Sequence, residues 1–104
     1  MRLVCISDTH SLHHNLDGQL PDGDVLIHAG DFCGQNSIIS ADAFLDWFAD
    51  QPHKYKVFIA GNHDGPFEKT PDWVKDVLSE INPPLFYLQD SGIEIEGVKF
   101  FGEP

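Results

Sequence analysis

Three short apolar runs in this chain each end in residues that can bind metals or move protons. Leu3-Val4-Cys5-Ile6 leads into Ser7-Asp8-Thr9-His10, Val25-Leu26-Ile27-His28 into Ala29-Gly30-Asp31, and Val57-Phe58-Ile59-Ala60 into Gly61-Asn62-His63-Asp64. Apolar runs of this length, rich in β-branched residues and bounded by turn formers, read as buried strands. In open α/β sheets the residues that follow parallel strands collect at one edge, where such proteins bind their ligands. Carboxylates, imidazoles and an amide at that edge offer hard oxygen and borderline nitrogen. That donor set suits Mn²⁺, Fe, Zn²⁺ or Mg²⁺ rather than a thiolate-selected metal.

Each motif alone has a plainer explanation. An Asp at a strand end often only forms a turn, which covers Asp8-x-His10 and Gly30-Asp31 taken singly. Gly61-Asn62-His63-Asp64 resists that explanation, because a loop selected only for turning would use Asn-Gly or Asp-Gly and has no need of adjacent imidazole and carboxylate. The conjunction of all three favours a metal site. The other candidate residues read as structural: Cys33 as a small loop or core residue, His28 as an interior residue supporting the ligands, Trp47 and Trp73 as helix packing groups. His13 and His14 read as solvated loop residues, and His53, beside Lys54 and Lys56, as surface.

The elements that must hold these residues alternate between strand and helix. Strands are predicted over 2–7, 24–29 and 56–60. Pro21-Asp22-Gly23 signals a turn before the second. Ser40 is the expected N-cap of a helix over 41–51, where Phe44, Leu45 and Phe48 recur at helical spacing and Pro52 enforces the stop. Thr70-Pro71 reads as N-cap and first helical position, followed by the stripe Val74, Val77, Leu78 and Ile81 and the stop Asn82-Pro83-Pro84. A short strand over 85–89 precedes a hairpin in which Ile93-Glu94-Ile95 and Val98-Lys99-Phe100-Phe101 flank Glu96-Gly97. Helical crossovers between the first three strands imply a parallel, buried sheet with right-handed connections.

Composition narrows the functional classes. The chain has 104 residues, enough for at most one domain with a modest core. Seventeen acidic against 6 basic residues give a net charge of −11, which argues against a surface that tracks nucleic-acid phosphates. Cys5 and Cys33 lack Cys-x-x-Cys spacing and read as free thiols of a reducing compartment. No segment has the length of a membrane span, and Asp8 interrupts any apolar leader, so a cytoplasmic location is expected.

The ordered set Asp8-x-His10, Gly30-Asp31 and Gly61-Asn62-His63-Asp64 resembles the first three signature blocks of the calcineurin-like metallophosphoesterases. Phe44-x-x-Trp47, Pro52-His53-x-x-Lys56 and Gly97-Val98-Lys99-Phe100-Phe101-Gly102 resemble the small metallophosphoesterase-domain subgroup, some members of which hydrolyse cyclic nucleotides. The resemblance implies a layered αββα sandwich on a mixed sheet, of which residues 1–104 are the N-terminal part. It further implies a phosphoesterase, acting on phosphomonoesters or diesters, with two divalent metal ions and a bridging hydroxide. Asp8 and His10 would hold the first ion, Asp31 would bridge both, and Asn62 would hold the second through its amide oxygen. His63 would face the leaving-group oxygen as acid or charge stabiliser, with Asp64 orienting it. Two cations about 3.5–4 Å apart repel, so an anionic bridge is physically required between them. Against the carboxylates of Asp8 and Asp31, two divalent ions leave a locally positive pocket for a phosphate ester.

Family members bring further histidines in Gly-His and Gly-His-x-His blocks, and this chain has no histidine after His63. The expectation is therefore an incomplete site, in the N-terminal part of a longer enzyme or in a truncated relative that self-associates or is complemented by another segment. The competing reading is a non-catalytic module that binds metal weakly or pairs with a protein partner through an unfinished sheet edge.

Overall fold

Strands β1 (Leu3–Ile6), β2 (Val25–His28) and β3 (Tyr55–Phe58) run parallel, and a two-residue β4 (Phe86–Tyr87) completes a four-stranded sheet in the order β1-β2-β3-β4. The computed structural model describes residues 1–35 and 37–103. Ile6 pairs with His28 and His28 with Phe58, so the three long strands end level and their following loops emerge side by side.

Strand side chains alternate between the two faces of the sheet, and two cores result. Val4, Leu26 and Phe58 face helices α1 (Ile38–Ala49), α2 (Pro66–Lys69) and α3 (Pro71–Ser79), joining Ala41, Phe44, Leu45, Phe48, Phe67 and Val74. Val25 and Val57 face the other way, against Ile93, Ile95 and Phe100 of the antiparallel pair β5 (Ser91–Ile95) and β6 (Val98–Gly102). The expected mixed sheet is thus resolved into two sheets, one wholly parallel and one an antiparallel hairpin stacked on it. Glu96 and Gly97 turn that hairpin with φ of 49° and 83°.

Several local expectations are corrected. Helix α1 starts earlier than its apolar stripe suggests, because the hydroxyl of Ser37, not Ser40, caps it by accepting from the Ser40 N–H at 3.2 Å. The first crossover is not a regular helix: between β1 and β2 only a 3₁₀ turn forms, at His13–Leu16. Helix α2 leaves no mark in the sequence, since four residues are too few to show a periodicity. It engages the residue before the next helix: the Thr70 hydroxyl donates to the carbonyl of Pro66, the first residue of α2, at 2.6 Å, so Thr70 precedes α3 without a side-chain cap bond. His53 is not at the surface. It is 6% exposed, with Nε2 3.0 Å from the Pro21 carbonyl, tying the α1–β3 connection to the turn before β2. Lys56 is also buried, and its ammonium donates to Ala49 O at 2.6 Å, where a cation suits the carbonyl end of α1. No helix of the described residues is long and apolar enough to cross a membrane.

The helix-side core is dominated by aromatic rings. Phe44 stacks on Phe32 at 4.0 Å between centroids and on Phe48 at 5.1 Å, and it meets Phe58 and His28 edge-on. Phe32 belongs to the loop after β2, so this stack joins the helical layer to the edge that carries the candidate ligands. Phe44→Ala should therefore destabilise the fold by about 3–5 kcal/mol. Urea denaturation measures this directly, and a loss below about 1 kcal/mol would contradict the packing described.

Candidate metal centre

The loops after β1 and β2 continue the ladder of their strands. Asp8 N–H donates to Gly30 O at 3.0 Å, His10 N–H to Asp31 O at 3.1 Å, and Ser11 N–H to Phe32 O at 2.8 Å. Pairing the loops in this way forces Asp8, His10, Ser11 and Asp31 to positive φ, between 43° and 64°. That conformation disfavours side chains with a Cβ by roughly 1–2 kcal/mol each. Strain of this kind persists where surrounding structure over-determines it, typically at functional sites.

The side chains converge from these loops. Asp8 Oδ1 lies 3.9 Å from His10 Nε2. The His10 and His63 rings meet edge to face with centroids 5.0 Å apart. Asp31 Oδ1 accepts the His63 backbone N–H at 3.0 Å. Asn62, exposed on the same loop as His63, lines a cleft of about 380 Å³ with Glu68, Tyr87 and Gln89. Asp64 lies deeper, at 2% exposure, with its carboxylate turned to the backbone. Its two oxygens accept four backbone N–H groups, those of Asp31 and Gly61 on Oδ2, both at 2.7 Å, and of Phe32 and Cys33 on Oδ1, at 3.0 and 2.9 Å.

The donor chemistry fits a divalent ion of the hard-to-borderline class. Asp8, His10 and Asp31 lie on adjacent, hydrogen-bonded loops, and Asp8 and His10 are already at a spacing that one ion could bring together. The arrangement is open: among the described residues no three His, Cys, Asp or Glu side chains gather around a single point. Cys33 does not belong to the donor set. Burial and the neighbouring Asp64 carboxylate push its thiol up to about 12.

His28 sits beneath the centre as a neutral imidazole. Gly30 N–H donates to its Nδ1 at 3.1 Å, so Nε2 carries the proton and donates to Thr9 Oγ1 at 2.9 Å. The ring thereby steadies the β1 loop between Asp8 and His10. Burial lowers its pKa to about 4, with the carboxylates of Asp8 and Asp31 opposing the shift.

The family model of calcineurin-like phosphoesterases matches residues 1–101. The chain belongs to that family. A UPF0046 protein of Caenorhabditis elegans is 42% identical over 112 residues, an alignment that covers 98% of this chain and 38% of the relative. Metallophosphoesterase domain-containing protein 1 of Homo sapiens is 35% identical over 124 residues, covering 99% and 37% respectively. The chain thus spans less than two fifths of the length of these curated relatives. In this chain Asp8, His10, Asp31, Asn62, His63 and Asp64 all lie in the loops at the end of the parallel sheet.

Three further residues around the candidate centre escaped sequence reasoning. Thr9 was hidden between two ligand candidates. Ser11 Oγ accepts Gly34 N–H at 2.7 Å and bonds Ser40 Oγ at 2.9 Å, and no periodicity marks such a loop hydroxyl. His13, read as solvated, is 3% exposed against the Trp47 ring at 5.1 Å, its pKa lowered chiefly by that burial. Two adjacent histidines in a short 3₁₀ turn carry no signal that separates the buried ring from the exposed one.

The depressed pKa of His28 has a definite sign in stability. The unfolded chain binds a proton at this residue below about pH 6.5, whereas the folded chain does not until about 4. Stability is therefore present above pH 6.5 and falls as the pH drops toward 4, by on the order of 3 kcal/mol in total. Chemical denaturation at pH 7.5, 6.0 and 5.0 should show this slope in the wild type and a shallower one in His28→Gln. Parallel slopes would contradict a neutral, buried His28.

Proposed function

We propose that this chain carries the N-terminal half of a phosphoesterase active site, in which Asp8 and His10 hold one divalent ion, Asp31 bridges to a second, and Asn62 contributes to that second ion. The observation that supports this reading best is the convergence of three strand-end loops on one edge of the sheet, the first two bonded backbone to backbone and the third bonded to the second through the Asp64 and Asp31 carboxylates. Two divalent ions would supply polarisation of the phosphoryl oxygens and an activated attacking oxygen. The carboxylates of Asp8 and Asp31 would offset only part of their charge, which lets a phosphate ester bind a protein of net charge −11. Among Mn²⁺, Fe, Zn²⁺ and Mg²⁺, the mixed oxygen and imidazole donors leave the choice to availability.

His63 is the candidate acid for the leaving oxygen, whether of a monoester or a diester. Its exposed ring meets the His10 ring edge to face, and its backbone N–H is held by Asp31, which supports a role beside the proposed ligands. Residues 1–104 act in this reading as the N-terminal part of a single domain whose remaining metal ligands come from elsewhere. A second reading, a protein-interaction module, draws on the exposure of Leu3 at 46%, Val98 at 41% and Phe101 at 66%. Metal binding separates the two: a module of that kind associates equally with and without Mn²⁺ and is unaffected by Asp31→Ala.

Two measurements test the proposal. Calorimetry should register Mn²⁺ binding by the wild-type chain and none by Asp31→Ala; equal binding by both would remove the site. In a full-length protein containing this sequence, His63→Ala should retain its metals yet lose roughly 10²–10⁴-fold in hydrolysis of bis-p-nitrophenyl phosphate or a phosphomonoester. The loss should shrink as the leaving group improves. Loss of metal in that variant would make His63 a ligand instead.

A further inference from the structure

We infer that Asp64 is a positioning residue that clamps the loop after β2 to the loop after β3 and so sets the directions of the Asp31 and Asn62 donors; the part that concerns metal rests on the function proposed above. Three successive backbone N–H groups, of Asp31, Phe32 and Cys33, point at the Asp64 carboxylate, and the fourth donor, Gly61 N–H, comes from the carboxylate's own loop. Successive amides of this kind form an anion-binding nest. Here the anion is a side chain of the neighbouring loop. The exchange is mutual, because Asp31 Oδ1 accepts the His63 N–H in return.

Space enforces the same union. A Cβ at Gly61 would overlap Asp31 Oδ1 and come within 2.7 Å of Asp31 N, and one at Gly30 would approach Gly61 N to 3.0 Å. The two loops touch backbone to backbone. Four donors occupy the acceptor sites of the carboxylate. At 2% exposure Asp64 has neither room nor a free lone pair for a metal ion or a substrate proton, so it acts through Asp31 and Gly61.

The chemistry of the clamp makes Asp64→Asn a selective probe. The amide is isosteric, but its NH₂ must face either the pair Asp31 and Gly61 or the pair Phe32 and Cys33, donor against donor. Whichever way the amide turns, two bonds are lost.

In the wild-type chain, NMR-detected deuterium exchange should be slow at the amides of Asp31, Phe32, Cys33 and Gly61. In Asp64→Asn it should accelerate at least tenfold at one of the two pairs, with Leu26 and Val57 unchanged. Mn²⁺ affinity by calorimetry should fall at least tenfold in Asp64→Asn, while Val74→Ala, a core variant that lowers the melting temperature without touching either loop, should bind as the wild type does. Should Asp64→Asn not fold, Asp64→Glu supplies the same pair of readouts, since it keeps the charge but carries the carboxylate one methylene away from the four amides. Unchanged exchange at all four amides overturns the clamp. Faster exchange with unchanged Mn²⁺ affinity, or an equal loss of affinity in Val74→Ala, overturns the positioning role. Faster exchange in a chain whose wild type binds no Mn²⁺ supports the clamp and sinks the metal-dependent function instead.

Discussion

Two loops that each carry a carboxylate cannot approach one another closely in water, because the charges repel and the backbone amides prefer solvent. In this protein the approach is made possible by exchanging roles: the Asp64 carboxylate takes the amides of residues 31 to 33, and the Asp31 carboxylate takes the amide of His63. A buried carboxylate without partners would be costly by several kcal/mol, whereas one that accepts charge-assisted bonds from oriented amides is stable and directional. The rest of the edge depends on this lock. Asp31 and His63 are held against each other, and Gly61 can only be glycine because the neighbouring loop occupies the place of a side chain.

Beneath the lock lies a sheet whose register brings Ile6, His28 and Phe58 level. A parallel ladder would ordinarily end there. Instead three further backbone bonds carry it into the loops, at the cost of left-handed backbone for Asp8, His10 and Asp31. The stack of Phe32, Phe44 and Phe48 resists relaxation of that strain, since Phe32 follows Asp31 directly and is fully buried. Packing energy in the helical layer is thus transmitted to the orientation of the ligands.

Electrostatics at the edge runs against the average of the chain. The overall charge is −11, yet the imidazole beneath the centre, His28, is kept neutral by burial despite two carboxylates that favour its protonation. Its tautomer is fixed by the Gly30 amide, which leaves the Nε2 proton for Thr9. A neutral support is the useful form beside a site that would receive cations, because a charged one would compete with them.

The sequence by itself determined the three strands, the helices α1 and α3, the hairpin and the family, because alternating apolar runs, Pro stops and the Asp-x-His, Gly-Asp and Gly-Asn-His-Asp blocks are local signals. The same local signals single out Asp8, His10, Asp31 and Asn62 as candidate donors and His63 as a candidate acid, and the structure places all five in the loops at one end of the sheet. Tertiary structure alone decided what their neighbours do. Adjacency suggested that Asp64 would serve His63, but its oxygens are bonded to backbone some thirty residues away and to Gly61. Burial of His13 and His53, and the capping of α1 by Ser37, likewise follow from which surfaces meet when the layers close. A side chain's partners are chosen by the folded backbone around it, and a linear pattern records only which residues are available to be chosen.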